Sequence, residues 1–384
     1  MESTTRNGER LNKKQLILGL VVLAALAALF FWGRHRFHFD FGVFRTQLAE
    51  ADWRKIALGI GCIYLGFVFR SVRWAALLKH NKKVPPFSLL GTQVIGFTAI
   101  ALIGRVADPV RPYLVSKKTG LPLSSQLAVY IVERLFDAGS MALIFSMAML
   151  WIPEADIARA TSHSGMIASM QKHSPLLGTI LARYGGLVLT LGGALFLVAV
   201  RLSGQAVAAF FERAFGLVSK MLGVAVGEKI RTFHSGLDTM RTFGEFAATA
   251  ALSLGMWLLI AFAYFITCRA FSGSPQLAAI SPQKCVLLMI ASGGASIFQL
   301  PVIGWFTQIG VVAAAITGLI GASPEASTAC AASLLLATFV GVIPVGLIWA
   351  QFEHISLRKV THESEEEAEH IPTDSPPAAN PESL

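Results

Sequence analysis

The chain has 384 residues, of which 54% are hydrophobic and 14% are charged, and its formal net charge is +9. An average soluble domain carries about 25% charged residues, so this composition excludes an ordinary soluble protein. Apolar runs near the roughly 20 residues that span a bilayer recur along the chain, which predicts an all-α, polytopic helical membrane bundle. The positive charge does not indicate binding of nucleic acid, because no basic stretch lies in a soluble module. Cytoplasmic loop charge that sets topology explains it better.

The first predicted span is Leu16–Trp32, and the basic residues 1–15 before it are assigned to the cytoplasm. This start resembles a signal peptide, but no small-residue cleavage site follows the apolar run, so an uncleaved helix is expected. The second span, Ile56–Leu78, ends in positive charges without an acid, which the positive-inside rule places in the cytoplasm. Arg70 and Arg73 share one helix face near that end. They are expected either to anchor the span by snorkelling or to contact a lipid headgroup.

The apolar run Pro86–Gly104 has positive charges on both sides. A simple crossing would place one of the two positive clusters outside, whereas a re-entrant hairpin that enters and leaves on the cytoplasmic face satisfies both. Non-helical backbone at membrane depth is tolerated where it is buried in protein or lines a cavity. The hairpin is therefore a candidate cavity wall, and a plain crossing is the alternative.

The following segment concentrates charge beside apolar runs. A long helix, Ser124–Trp151, carries Glu133 and Asp137 four residues apart, hence on one face. Charges near hydrocarbon are costly and usually mark function. The two acids are expected to pair with Arg105 or Arg111 across a cavity mouth, or else to form a purely structural ion-pair network. The candidate substrate-binding residues are Arg70, Arg73, Arg105, Asp108, Arg111, Glu133, Arg134 and Asp137.

Residues 201–245 form the longest polar segment in the body of the chain, and apolar residues recur in it at helical spacing. The pattern predicts cytoplasmic amphipathic helices, with Gly223 and Gly227 as a separator between them. These helices are expected to lie on the membrane, to cover the cavity or to dock a cytoplasmic enzyme. The alternative is a connector that packs on its own bundle.

The remaining spans are predicted at Leu177–Val200, Phe246–Phe271 and Ser327–Phe352, which gives about seven to eight spans in one membrane domain, residues 16–352. Between the last two, Pro301 and Gly304 interrupt an apolar run. This predicts a second re-entrant pair that enters from the outer face and opposes the first, as in transporters with inverted repeats. Its candidate half-site is Pro301, Gly304 and Gln308. The tail, 361–384, is acidic and proline-rich and is predicted to be disordered in the cytoplasm.

The sequence contains no Walker A, GxSxG, HExxH or GxGxxG motif, and no DxD. The four cysteines lie in or beside apolar segments without a metal-ligand spacing, so they are expected to act as small hydrophobes. No catalytic residue, metal or cofactor is therefore assigned.

Four sequence blocks carry a family resemblance. The segment RSVRW is similar to an RxxRW block, IGRVADPVR to a PGRxGExxR block, and AVYIVERLFD to an ERxxD helix. The segment LPVIGWFTQIG stands where a PGGxGxxE turn is expected. With these blocks the chain, over roughly Leu16–Phe352, resembles the lysylphosphatidylglycerol synthase transmembrane region, also called flippase-like membrane proteins.

The chain departs from the family's pattern at several positions. Ile103 and Ala107 replace a proline and a glycine of the first loop, and Gln308 stands about where the last motif has an acid. The aminoacyl-transferring domain of the lipid-modifying enzymes has no counterpart here. The resemblance therefore implies the membrane part alone, with lipid translocation as its activity.

We expect an inner-membrane protein, with both termini cytoplasmic, that binds a phospholipid or polyprenyl-phosphate and moves it between leaflets. Arg105 and Arg111 are expected to clamp the phosphate, since a guanidinium presents two parallel donors. Glu133 and Asp137 would orient the arginines or meet a cationic headgroup. One alternative is a transferase acting on a lipid-linked donor, with an acid as base. The other is a non-transporting membrane partner of a lipid-modifying or glycosyl-transferring enzyme.

Overall fold

The computed structural model describes residues 39–153, 175–216, 219–237, 242–296, 303–356, 360–361 and 363–364. Within these ranges the chain is helical and has no strand, which confirms the predicted all-α class. The α-helices are α1 Phe41–Ala49, α2 Trp53–Leu78, α3 Leu90–Ile103, α4 Val110–Thr119, α5 Leu123–Trp151, α6 Pro175–Gly216, α7 Lys220–Leu237, α8 Phe243–Cys268, α9 Pro275–Ala278, α10 Pro282–Ala295, α11 Ile303–Ile320, α12 Pro324–Thr338 and α13 Ile343–Phe352.

Several of these helices are long and apolar enough to cross a membrane. Four candidate spans are present in the described ranges, and a bent pair within α6 raises the number to five. The four spans are Trp53–Leu78, Pro86–Ile103, Phe243–Cys268 and Pro324–Phe352. The predicted first span, Leu16–Trp32, lies outside the described residues. The chain is thus a multi-pass membrane protein, and the total of seven to eight spans stays a prediction.

The helices α2 and α8 pack closely against each other. A Cβ atom at Gly59 of α2 would lie 2.7 Å from the Thr267 hydroxyl of α8, so a larger residue has no room there. Small residues at such crossings let two backbones approach closely, which is how helices associate where no water drives them together. The pair brings Arg73 of α2 beside Ser253 of α8.

The predicted hairpin within Pro86–Gly104 is not formed, because this run is one helical stretch that ends at Ile103. The chain turns back only after it, so that α3 and α4 together form a hairpin. Gly104 joins them with a φ of 95°, a conformation that favours glycine. The two open ends lie together, because Lys82 Nζ donates to the Thr119 carbonyl over 2.6 Å. This geometry fits a hairpin that leaves on the side from which it enters. Its orientation relative to a membrane stays a prediction.

Helix α13 packs against α3 of this hairpin. A Cβ atom at Gly346 would lie 1.9 Å from Thr98 Oγ1, and one at Gly91 would meet the Trp349 ring. Near the same surface, Tyr113 Oη donates to Glu363 Oε2 over 2.6 Å. Glu363 belongs to a short helical segment with Thr361 and Ser364 in a region that was predicted to be disordered. The rest of the predicted tail lies outside the described residues.

The predicted amphipathic segment folds as the end of α6 packed against α7. Phe211 and Val226 pack into the bundle, whereas Phe210 and Met221 are exposed. Gly223 and Gly227 do not separate two helices as predicted. Both lie within α7, where a Cβ atom at Gly223 would meet the Glu212 carbonyl at 2.5 Å, so the glycines permit close packing of α7 on α6. The placement of this segment in the cytoplasm stays a prediction.

The second predicted re-entrant pair corresponds to α10 and α11, which pack against each other. Residues 297–302 between them, including Pro301, lie outside the described residues. Gly304 does not interrupt a helix, because it lies in the first turn of α11, which ends at Ile320. The four cysteines are buried and free of disulfides, as expected for small core residues.

Candidate functional site

Glu133 of α5 is the centre of a buried ion-pair cluster. Arg111 Nη2, from α4, lies 2.7 and 2.9 Å from its two carboxylate oxygens, and Arg73 of α2 donates to Oε1. All three side chains are only 1% exposed. Three helices therefore meet on one carboxylate, which holds the hairpin against the bundle.

Asp137, one turn further along α5, completes the cluster. Its Oδ1 accepts from Arg73 Nη1 over 2.6 Å. Its Oδ2 lies 3.5 Å from Arg70 Nη1 and 3.3 Å from Arg134 Nη2, so these two guanidinium groups share one oxygen atom. The four-residue spacing of Glu133 and Asp137 puts both on the same helix face, as the sequence indicates.

Aromatic rings shield the arginines from the surrounding apolar residues. The Phe97 ring lies under both Arg70 and Arg111, with ring-centre distances of 4.7 and 4.8 Å from the guanidinium carbons. Arg134 lies 5.1 Å above the Tyr130 ring. Such a contact stabilises a desolvated cation by about 2 kcal/mol. They reduce the cost of burying charge without neutralising it.

Positive charge exceeds negative charge in this cluster. Four guanidinium groups, those of Arg70, Arg73, Arg111 and Arg134, face two carboxylates. Burying a charge costs several kcal/mol per ion, and Arg70, Arg73 and Arg111 are buried, whereas the Arg134 side chain is 35% exposed. The two carboxylates do not balance the four cations, and this excess of positive charge favours binding of an anion.

A cavity of about 430 Å³ lies beside the cluster. Three arginines are among its lining residues: Arg70, Arg105 and Arg134. Most of its remaining wall is apolar and aromatic, and it includes Phe67, Ile260 and Met289 among other residues. This size falls within the range of about 300–1,000 Å³ that is typical of ligand pockets. A cavity lined by three arginines, a few hydroxyl groups and mostly apolar side chains suits an amphiphile with an anionic headgroup.

Arg105 reaches the cavity from the loop of the hairpin. Its Nε donates to the Ser296 carbonyl over 3.0 Å and its Nη2 to the Ser296 hydroxyl over 2.8 Å. Asp108 is 3.8 Å from Nη1 and is its ion-pair partner. Arg105 thus bridges the first hairpin and α10, and 39% of its side chain is accessible, which leaves it free to meet a ligand.

Most of the chain matches a known protein family. The family described as the lysylphosphatidylglycerol synthase TM region matches residues 16–347. The chain belongs to this family. No curated protein and no solved structure matches it. This membership confirms the predicted resemblance and makes the chain a membrane protein of a family associated with lipid handling.

In this member of the lysylphosphatidylglycerol synthase TM region, several predicted site residues have different surroundings from those expected. Arg70 and Arg73 do not snorkel, because both are buried on Asp137 and Glu133. Arg111 pairs with Glu133, which is one of the predicted contacts. Arg105 and Arg111 do not form a common clamp in this conformation, because Arg111 is enclosed and only Arg105 lines the cavity.

One residue of the predicted second half-site contacts the cavity lining. Gln308 of α11 donates from Nε2 to the Ser292 hydroxyl over 2.7 Å, and Ser292 lines the cavity. Neither Gln308 nor Gly304 lines the cavity itself, and Pro301 lies outside the described residues. Gln308 therefore supports one residue of the cavity wall. This family member places an uncharged amide where an acid is expected.

Sequence reasoning missed several residues of the site. Ser253 accepts from Arg73 Nη1 over 2.6 Å, and Gln93 accepts from Arg111 Nε over 3.0 Å. Each is a polar residue in a mainly apolar helix, and that signal was available in the sequence. Phe97, Trp257 and Tyr264 carry no such signal, because aromatic residues are common throughout this family member. No group of residues suited to holding a metal ion occurs in the described ranges.

Proposed function

We propose that this chain binds a lipid with an anionic, phosphate-bearing headgroup and moves it between the two leaflets of the cell membrane. The lipid is a phospholipid or a polyprenyl-phosphate. The observation that carries this proposal is the excess of two positive charges in the buried cluster beside the apolar cavity. A phosphate placed there would compensate the cluster, and its acyl or prenyl chain would follow the apolar wall.

The three arginines at the cavity have suitable chemistry for this role. Guanidinium groups bind phosphate through paired donors and stay charged at any physiological pH. Arg105 is the most accessible of the three, and Arg70 and Arg134 are held in place by Asp137. Glu133 and Arg73 would then serve as support rather than as ligand contacts. Both termini are proposed to lie in the cytoplasm.

Arg105→Gln and Arg134→Gln are each expected to weaken binding of an anionic lipid about tenfold or more. A hydrogen bond to a charged group contributes about 1.5–3 kcal/mol, and 1.4 kcal/mol corresponds to a factor of ten. The measurement is the affinity of the purified full chain for fluorescent phosphatidylglycerol and for a polyprenyl phosphate in detergent, with leaflet exchange in reconstituted vesicles as the second readout.

Arg269→Gln is the matched control. Arg269 is exposed at the end of α8, where it donates to the Ala278 carbonyl, and it does not line the cavity. It should bind both lipids as the unmodified protein does. Unchanged affinity in both cavity variants, with melting temperatures equal to that of the unmodified protein, would rule out the cavity as the lipid site.

A further inference from the structure

The cavity has a marked asymmetry in its charged groups. No aspartate or glutamate is among the described residues that line it. Of the three nearby carboxylates, Glu133 is 1% exposed and Asp137 is 4% exposed, and Asp108 pairs with Arg105 without lining the cavity. Each carboxylate oxygen of Glu133 and Asp137 already faces at least one guanidinium group. A cationic group that entered the cavity would therefore find no free carboxylate to pair with.

The unsatisfied polar atoms of the lining residues point to the same chemistry. Arg134 Nε and Trp257 Nε1 are buried and have no hydrogen-bond partner among the described residues. Both belong to side chains that line the cavity, and both atoms are donors only. An ammonium group is also a donor only, whereas phosphate oxygens accept. Neither side chain therefore offers an acceptor to an amine in the cavity.

The cavity lining also includes uncharged polar side chains. Tyr264 is hydrogen-bonded to Ser292, and Gln308 donates to the same hydroxyl. Ser296, which follows the end of α10, accepts from Arg105 Nη2. These hydroxyl groups can contact the hydroxyls of a neutral headgroup. They cannot neutralise an amine, and the three arginines would repel it.

We infer that the cavity selects lipids whose headgroup carries a phosphate and no amine, and that it excludes aminoacylated lipids. This inference rests on the proposed function and narrows its substrate class. Lysylphosphatidylglycerol, the lipid in the family's description, carries two amino groups on its lysyl ester and is cationic overall. The selected class comprises phosphatidylglycerol-like phosphodiesters and polyprenyl phosphates, which share the anionic phosphate.

Direct competition among lipids tests this selectivity. The purified full chain is equilibrated with phosphatidylglycerol, lysylphosphatidylglycerol, phosphatidylethanolamine and a polyprenyl phosphate, and the bound lipids are quantified by native mass spectrometry. Phosphatidylglycerol or the polyprenyl phosphate should bind at least tenfold more tightly than both amine-bearing lipids. The ratio between the first two lipids distinguishes a glycerophospholipid ligand from a polyprenyl one.

The outcomes separate the inference from the proposed function. If no lipid binds, the proposed function fails. If lysylphosphatidylglycerol or phosphatidylethanolamine binds as tightly as the anionic lipids, the proposed function survives and the inference is overturned.

A charge-reversal variant adds a second measurement. Arg105→Glu places a carboxylate at the accessible side of the cavity, so the preference for phosphatidylglycerol over its lysyl ester should fall at least tenfold. Arg269→Glu makes the same charge change outside the cavity and should leave the preference unaltered. An equal fall in both variants would mean that net charge, and not the cavity, sets the preference, which would overturn the inference.

Discussion

Glu133→Gln is expected to lower the free energy of unfolding by about 3–5 kcal/mol, because it removes the carboxylate that Arg73 and Arg111 share in the interior. Glutamine has almost the same shape, so the loss would come from stranded charge and not from a cavity. Both arginines would remain buried with less negative charge nearby. Thermal unfolding of the purified protein in detergent, followed by tryptophan fluorescence, measures the effect.

Glu212→Gln is the control for this variant. Glu212 pairs with Arg231 on α7, and both side chains are more than 30% exposed, so its loss should cost at most about 1 kcal/mol. Adding Arg111→Met to Glu133→Gln should restore part of the stability, since it removes one stranded cation. A melting temperature for Glu133→Gln equal to that of Glu212→Gln would contradict the central role of this carboxylate.

Gly96→Ala is expected to destabilise the protein by about 1–3 kcal/mol through a clash inside the hairpin. A Cβ atom at this position would lie 2.1 Å from Cγ of Arg111 and 3.2 Å from its Cβ and Cδ atoms. Arg111 would have to shift, and its bonds to Glu133 would lengthen. The variant should melt at a lower temperature and should also bind anionic lipid more weakly, because the cluster that supports Arg70 and Arg134 would be disturbed.

Gly139→Ala is the comparison for Gly96→Ala. Gly139 is an exposed position of α5 with no atom within 4 Å of an added Cβ, so alanine should be neutral or stabilising by up to about 1 kcal/mol. Equal melting temperatures for the two alanine variants would show that α3 can move away from Arg111 at little cost. The close approach of α3 and α4 would then not fix the position of Arg111.

Much of the fold could be predicted from local sequence signals. Two apolar runs have the length of a membrane span, and they predicted the spans Ile56–Leu78 and Phe246–Phe271. These correspond to α2 and α8, whose ends lie within about three residues of the predicted ones. The positive charge at both ends of one apolar run predicted a hairpin within that run, but the run is a single helical stretch and the turn follows it. The shared face of Glu133 and Asp137 followed from their spacing alone.

The three-dimensional partners of these charges could not be predicted in the same way. Helical periodicity gives the face on which Arg70 and Arg73 lie, but not whether that face meets headgroups or carboxylates. Burial of both arginines depends on contacts between α2 and α5, which are about 60 residues apart in sequence. The prediction that Arg105 and Arg111 clamp one phosphate rested on their closeness in sequence. Gly96 instead admits Arg111 into the interior, while Arg105 stays at the surface of the cavity.

The bonds that hold the two sides of the cavity are unequal in strength. On one side, charged pairs through Glu133 and Asp137 fasten α2, α4 and α5 into a single rigid block. On the other side, α10 and α11 are attached to the first hairpin by contacts without a paired charge, from Arg105 to Ser296 and from Trp305 to the Ala101 carbonyl. Separation of α10 and α11 from the first hairpin would therefore break no ion pair. Both helices are held elsewhere by apolar contacts in the hydrophobic cluster that they share with α8 and α12.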